Sequence, residues 1–138
     1  MIENGLKDYL KTHPIQWADD LPEGAPPETV LVPDNDVFYR ITKGNRLTNE
    51  DLISYLQQYP HKYEGESKIF ASGLSVFNNL KAIKKKMKLA NLKDCKGIAK
   101  LMLIPIDGVV VKTLKDRHHY TWWRTQSFDL SKAEMETL

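Results

Sequence analysis

The sequence has a single cysteine, no long apolar run and no basic residue before Lys7, and each of these features narrows the class of protein. A lone thiol, Cys95, cannot form a disulfide within the chain, so we expect a reducing compartment, the cytoplasm. The longest apolar stretches are too short to cross a bilayer, and the first ten residues are not those of a secretory signal. With 138 residues, 41% of them hydrophobic and 28% charged, the composition is that of one ordinary globular domain.

Metal-ligand spacing is also missing from the sequence. The four histidines are His13, His61, His118 and His119, and no pair of them shows the i, i+4 spacing that places two ligands on one helix face. We therefore expect no metal site. Neither a phosphate-binding glycine loop nor a G-x-S-x-G turn is present, so the common nucleotide-binding and hydrolase motifs are unsupported.

The small net charge of +2 hides two regions of opposite sign. Residues 1–36 contain eight acidic residues and two lysines, whereas residues 81–100 contain eight lysines and one aspartate. These regions can attract each other, or each can meet a partner of its own.

The pattern of apolar residues predicts strands mostly late in the chain. Strands are predicted at Asp36–Thr42, Ser72–Phe77, Ile98–Ile104, Val109–Leu114 and His119–Thr125. One helix is predicted from Thr48, with Asp51 completing a capping box, up to Pro60, and another follows Asn78. Residues 61–71 are expected to form a polar loop. Because the turn at 105–108 suggests a hairpin, we expect an α+β single domain with a mainly antiparallel sheet and two or three helices.

The first 35 residues are expected to differ from the rest. Helical spacing predicts a helix from Ile2 to Thr12, and five of the seven prolines follow within residues 14–33. We expect an extended, acidic, proline-rich arm that wraps the domain, anchored by Trp17, Leu21, Val30 and Leu31. The predicted division is residues 1–35 for this helix and arm, 36–128 for the α+β core, and 129–138 for the tail.

The helix after Asn78 carries a lysine-rich face. Its apolar stripe, Leu80, Ile83 and Met87, is surrounded by lysines that leave the exposed side positive: Lys81, Lys84, Lys85, Lys86 and Lys88. A nucleic acid or an acidic protein would relieve the repulsion between these lysines. The alternatives are a solvated face, or one paired with the chain's own acidic arm.

Three predicted strands carry polar residues among aromatic ones. Arg40, Ser75 and His119 with aromatic neighbours suit a nucleotide, because guanidinium binds diphosphate, hydroxyl binds ribose and rings stack on bases. The alternative is that these are core strands with incidental polar residues.

The layout resembles a group of small, largely uncharacterised bacterial proteins. The shared pieces are Phe38-Tyr39-Arg40, Thr48–Ser54, Gly73-Leu74-Ser75-Val76-Phe77 and His119-Tyr120-Thr121-Trp122. The resemblance covers residues 36–125.

The same order is similar, more remotely, to ADP-ribosyltransferase-like domains, which bind NAD in the cleft of a split antiparallel sheet. That resemblance implies catalytic roles for Arg40, Ser75 and His119, and contacts to NAD from Tyr39, Arg40, Ser75 and Tyr120. In that family the third motif often supplies a glutamate. This sequence departs from it, because no glutamate lies on the last predicted strand. A histidine can act as a base near neutral pH.

The sequence therefore supports three alternative functions, and it leaves open whether the protein is an enzyme. The first is ADP-ribosyl transfer or NAD cleavage by a cytoplasmic, toxin-like effector, which requires Arg40, Ser75 and His119 to converge in one cleft. The second is a non-catalytic protein-interaction module, such as an antitoxin, immunity or accessory protein. The third is sequence-tolerant nucleic-acid binding by the lysine helix.

Overall fold

Eight strands form one antiparallel sheet in the computed structural model, which describes residues 1–89, 95, 97–113 and 115–137. The strands are β1 (Ile2–Gly5), β2 (Thr29–Val32), β3 (Asp36–Thr42), β4 (Leu74–Phe77), β5 (Gly97–Leu103), β6 (Gly108–Lys112), β7 (His119–Arg124) and β8 (Glu134–Met135). Their order across the sheet is β1-β2-β6-β7-β4-β3-β5-β8. The helices are α1 (Leu6–Thr12), α2 (Tyr55–Gln58), α3 (Glu66–Ala71) and α4 (Leu80–Leu89). The predicted α+β class and the mainly antiparallel sheet are confirmed.

The sheet is curled into a half-barrel, as the link between β5 and β6 shows. Only residues 104–107 join these strands, although β7, β4 and β3 lie between them in the sheet. Four strand spacings in a flat sheet measure about 19 Å, while the link spans at most about 17 Å when fully extended. Curling and tilt of the strands bring the end of β5 to the start of β6. The predicted β5–β6 hairpin is therefore wrong: the turn residues are real, but they connect strands that do not pair.

Side chains alternate between the two faces of the sheet. The concave face holds the main core, which includes Phe38, Val76, Leu101 and Trp122. On the convex face, α4 packs through Ile83 against β3, β4 and β5. A third cluster, on the α1 side, gathers apolar residues from the amino-terminal part of the chain and from β6 and β7: Tyr9, Val30, Val32, Val109 and Trp123.

The amino-terminal segment is not the extended arm that the prolines suggested. Strand β1 pairs with β2 from Ile2↔Val32 to Gly5↔Thr29, and β2 pairs with β6, so both strands belong to the sheet. Pairing with β2 also replaces the first turn of the predicted Ile2–Thr12 helix, where Asn4 and Gly5 are weak helix formers. The prolines exclude regular structure only between these elements.

The irregular stretch between α1 and β2 is held against the domain. Trp17 forms a bridge with Thr125, and the amide of Ala18 donates to the carbonyl of Arg124 over 3.2 Å. Trp17 and Leu21 pack on the cluster around Trp123. The boundaries proposed at residues 35 and 128 stay predictions, although β1, β2 and β8 pair in the same sheet as the other strands.

Three local predictions need correction. The helix expected from Thr48 to Pro60 is split into a 3-10 turn (Asn49–Leu52) and α2, because Ser54 caps a new start by accepting from the Gln57 amide over 3.2 Å. The polar loop expected over 61–71 contains α3. The described part of the chain therefore has four short helices rather than two or three. Leu114, the predicted end of a strand, lies outside the described residues.

Candidate functional site

A cavity of about 160 Å³ opens between β3, β4, α2 and α4. Its charged and polar lining comes mainly from β3 and from the segment that follows it. The lining residues with functional groups include Arg40, Lys43, Glu50, Tyr55, Ser75 and Cys95. Two of the predicted site residues, Arg40 and Ser75, therefore lie at one cavity, although 35 residues separate them in sequence.

Arg40 holds the cavity wall together. Its Nε donates to the Asp51 carbonyl and its Nη1 donates to the Ser75 carbonyl, each over 2.7 Å. The β3–β4 ladder has a single paired position, Tyr39↔Phe77. The Arg40 side chain thus supplies a bond between the two strands beyond that position, next to the cavity.

The Asp51 carboxylate is committed to shaping the loop after β3. Its Oδ1 accepts from the Lys43 amide and its Oδ2 from the Thr48 amide, both over 2.9 Å. The predicted capping box of Thr48 and Asp51 is confirmed. Because these bonds fix the turn, the Asp51 carbonyl is held where the Arg40 guanidinium can donate to it.

The Arg40 guanidinium is desolvated without a carboxylate partner. None of the ion pairs among the described residues involves Arg40. Burial lowers the pKa of Arg40 to about 10; Tyr55 and Asp51 oppose this change, whereas Arg124 adds to it by repulsion. The group keeps its charge at neutral pH. An anion placed in the cavity would therefore be attracted by this charge.

A carboxylate that is not among the predicted site residues also lines this cavity. Glu50, in the 3-10 turn Asn49–Leu52, is exposed and lies at the cavity together with Arg40 and Ser75. The resemblance placed the expected glutamate on the last strand, and Glu50 lies outside it. The signal that could have located Glu50 is the acidic start of the segment following the strand that bears Arg40.

A second arginine near the site was also missed. The Nε of Arg124 is buried and has no hydrogen-bond partner among the described residues. Its Nη2 lies 3.8 Å from Asp19 Oδ1, which is too long for a hydrogen bond. Arg124 does not line the cavity, but its charge is near enough to lower the pKa of Arg40, an effect smaller than that of burial.

The other predicted site residues lie away from this cavity. Tyr39 packs with the cluster under α4, and the Tyr120 ring is in the concave core, 5.4 Å from the Phe38 ring. His119 is buried on β7, with Nδ1 2.8 Å from the Thr113 hydroxyl and its ring 5.1 Å from that of Phe77. None of the three lines the cavity, and their proposed roles stay predictions.

Burial makes His119 a weak base. Desolvation lowers its pKa. A hydrogen bond to the Thr113 backbone and the charge of Asp116 oppose this, and the nearby charges of Lys86 and Lys112 lower the pKa further. The ring is therefore neutral at physiological pH.

The lysines predicted to face a partner lie on α4. Lys81, Lys85 and Lys88 are exposed, and Lys84 is half-buried beside the apolar stripe. They are separate from the polar lining of the cavity, to which α4 contributes Ile83.

No protein-family model matches this chain, and no curated protein or solved structure matches it either. Within the described residues, no three histidine, cysteine or acidic side chains cluster in a way that could hold a metal ion. In that same part of the chain, no helix has the length and apolar character that crossing a membrane requires.

Proposed function

We propose that this protein is an ADP-ribosyltransferase-like domain that binds NAD at the Arg40 cavity and cleaves it. The observation that carries the proposal is the meeting of Arg40, Ser75 and Glu50 at one cavity. Arg40 and Ser75 are two of the four residues that the resemblance assigns to NAD; the other two, Tyr39 and Tyr120, lie away from the cavity. Glu50 adds the carboxylate that the last strand lacks.

The chemistry of the lining suits the sugar–phosphate part of a dinucleotide. Arg40 and Lys43 supply cations for the diphosphate, and the Ser75 hydroxyl and the Glu50 carboxylate can bind ribose hydroxyls. The volume of about 160 Å³ is below the roughly 300 Å³ of a typical small-molecule pocket, so only part of NAD would enter it. The remainder would lie on the rim, where Tyr55 is 52% exposed and offers a ring for stacking.

The proposed reaction breaks the bond between the nicotinamide nitrogen and ribose C1′. The bonding electrons leave with nicotinamide, and C1′ develops positive charge before water, or a hydroxyl of an acceptor, attacks it and loses its proton. A carboxylate that binds a ribose hydroxyl stabilises this charge in the transition state. Glu50 is the candidate for that role because, among the described residues, its carboxylate makes no structural hydrogen bond of the kind that the Asp51 carboxylate makes.

The test is an amide NMR titration with NAD together with chromatographic detection of free nicotinamide. We expect localised shifts around Arg40, Glu50 and Ser75, and a loss of about 100-fold in turnover in Glu50→Gln with binding retained. Glu66→Gln, an exposed carboxylate in the first turn of α3, is the matched control. A flat titration at millimolar NAD, with no nicotinamide released, would refute the proposal.

The second candidate is a non-catalytic interaction module of the antitoxin, immunity or accessory type. Two observations favour it: the cavity is small, and His119 and Tyr120 lie elsewhere. In that case Arg40 has only a structural role and NAD produces no shifts of the amide signals. Glu50→Gln and Glu66→Gln then give the same result as the unchanged protein.

A further inference from the structure

The lysine helix continues into a larger basic surface that the sequence order does not reveal. The hairpin between β6 and β7 lies beside the start of α4: the Asn78 amide donates to the His118 carbonyl over 3.0 Å, and His118 Nδ1 is 2.9 Å from Asn78 Oδ1. The exposed cations on the hairpin are Lys112, Lys115 and Arg117.

Cations of the helix and of the hairpin both lie near His119. Lys86 of α4 and Lys112 of β6 both act on the ring of His119, so cations stand on both sides of the junction. We call this the basic surface and define it by its members: Lys81, Lys84, Lys85, Lys86, Lys88, Lys112, Lys115 and Arg117. Asp116 is the acidic residue of the hairpin turn, and its carboxylate accepts from the His118 amide over 2.9 Å.

Four of the five lysines of α4 are arranged along one side of the helix, and Lys86 lies about 100° further round from Lys85. At about 100° per residue, Lys81, Lys84, Lys85 and Lys88 fall within an arc of roughly 100°. The ten residues of α4 extend about 15 Å, the length of roughly four to five base pairs. Such an array can contact several phosphates of one backbone at once.

Among the described residues, the surface lacks the exposed apolar and aromatic side chains that a protein partner or a single strand requires. The exposed large apolar side chains of the described residues lie elsewhere: Met1, Ile2, Leu10, Ile53, Tyr55, Tyr59, Met102 and Ile106. Protein interfaces are centred on aromatic or apolar anchors and are depleted in lysine. Binding of single strands depends on exposed rings that stack on bases. Phosphate contacts need only cations.

From these features we infer that the basic surface binds the phosphodiester backbone of a duplex nucleic acid, without reading its sequence. The inference is independent of the NAD proposal, because the surface and the cavity have no charged residue in common. Binding of this kind releases counterions, so the affinity must fall steeply with salt.

The experiment measures fluorescence anisotropy of labelled 20-base-pair duplexes between 50 and 200 mM salt. Two unrelated DNA sequences and one RNA duplex are compared, so that sequence dependence and the two sources of backbone are separated. We expect equal affinities for the two DNA sequences and a slope of log K against log salt of about −4, as roughly four to five phosphate contacts require.

The variants Lys81→Gln/Lys85→Gln and Lys7→Gln/Lys11→Gln form a matched pair. Each removes two exposed lysines spaced i, i+4 on a helix, the first from α4 and the second from α1. We expect the α4 variant to weaken binding about tenfold and to reduce the slope by about 2, and the α1 variant to change neither. Lys112→Gln/Arg117→Gln should also reduce the slope, because the hairpin belongs to the surface.

Several results would overturn the inference. They are the absence of duplex binding at 50 mM salt, equal losses in the α1 and α4 variants, or tighter binding of a single strand. Binding of poly-glutamate but not of either duplex would overturn it too, and would assign the surface to an acidic protein.

Discussion

Arg40 and Ser75 are joined by a hydrogen bond of 2.7 Å, which the Arg40 Nη1 donates to the Ser75 carbonyl. This hydrogen bond links β3 and β4 beyond the one position at which the two strands pair. The same guanidinium donates to the Asp51 carbonyl. One side chain therefore ties together the three segments around the cavity. It also brings a positive charge to that cavity, so its structural and its proposed binding roles depend on the same atoms.

Replacing Arg40 should destabilise the fold as well as any ligand site. Arg40→Leu removes two hydrogen bonds from a charged donor and leaves two carbonyls without it, so we expect the free energy of unfolding to fall by about 3 kcal/mol. Arg46→Leu, which replaces an exposed arginine, should change it by less than about 0.5 kcal/mol. Urea denaturation measures both. Equal losses in the two variants would show that Arg40 does not hold the wall together. Because of this structural role, the NAD proposal is tested at Glu50 rather than at Arg40.

The buried His119 should make the fold less stable in mild acid. Its pKa is lowered in the native state by burial, so below about pH 6.5 the unfolded chain binds the proton more readily than the folded one. The free energy of unfolding therefore falls as the pH drops from 7 to 5, by at most about 1.4 kcal/mol per pH unit from this residue. His119→Gln should flatten this slope. His61→Gln, at an exposed position, should keep it, and a slope unchanged in His119→Gln would contradict the assignment.

The α+β class of the fold could be predicted from local sequence patterns, but the curling of the sheet could not. Alternation of apolar residues located β3, β4, β5, β6 and β7 to within about two residues. The parts that were predicted wrongly depend on residues far away in the sequence. β1 is a strand because it pairs with β2, and residues 104–107 connect two strands that are not neighbours in the sheet because the sheet curls. Neither cause is encoded within a window of ten residues.

The candidate site was predictable to a similar extent. Arg40 and Ser75 were selected on strands with a recognisable pattern, and both line the cavity, while their roles stay predictions. Glu50 and Arg124 were missed because their proximity to Arg40 arises from the fold of the loop after β3 and from the position of β7. His119 was selected for the chemistry of its imidazole ring. Its contact with Phe77 and its burial follow from the pairing register of β4 and β7, which the sequence does not show.

The start of β6 requires a glycine. Gly108 has a φ of +127°, and a Cβ placed on it would lie 2.1 Å from the Trp123 carbonyl oxygen. Both the backbone strain and this overlap with a fixed strand oppose a side chain, so Gly108→Ala should cost more than about 3 kcal/mol. At Gly44 an added Cβ would meet nothing within 4 Å, so Gly44→Ala should cost less than about 0.5 kcal/mol. Thermal unfolding compares them. A tolerated Gly108→Ala would mean that β6 and β7 can separate locally.

The last prediction concerns the ion pair between Lys132 and the buried Asp107. Asp107, buried in the link between β5 and β6, accepts from the Ile104 amide over 2.9 Å and from the Lys132 ammonium. Lys132 precedes β8, which pairs with β5. Lys132→Met should cost about 2 kcal/mol, because it leaves a buried carboxylate without its cation, and Lys132 itself is partly exposed to solvent.

Asp107→Asn combined with Lys132→Met should be less damaging than the sum of the single changes, since the uncompensated charge is gone. We expect a coupling energy of at least about 1 kcal/mol from a double-mutant cycle in urea. Lys68→Met, at an exposed site on α3, controls for the loss of a lysine. If the two changes are additive within about 0.5 kcal/mol, Lys132 and Asp107 act separately, and the attraction between them does not contribute to the stability of the fold.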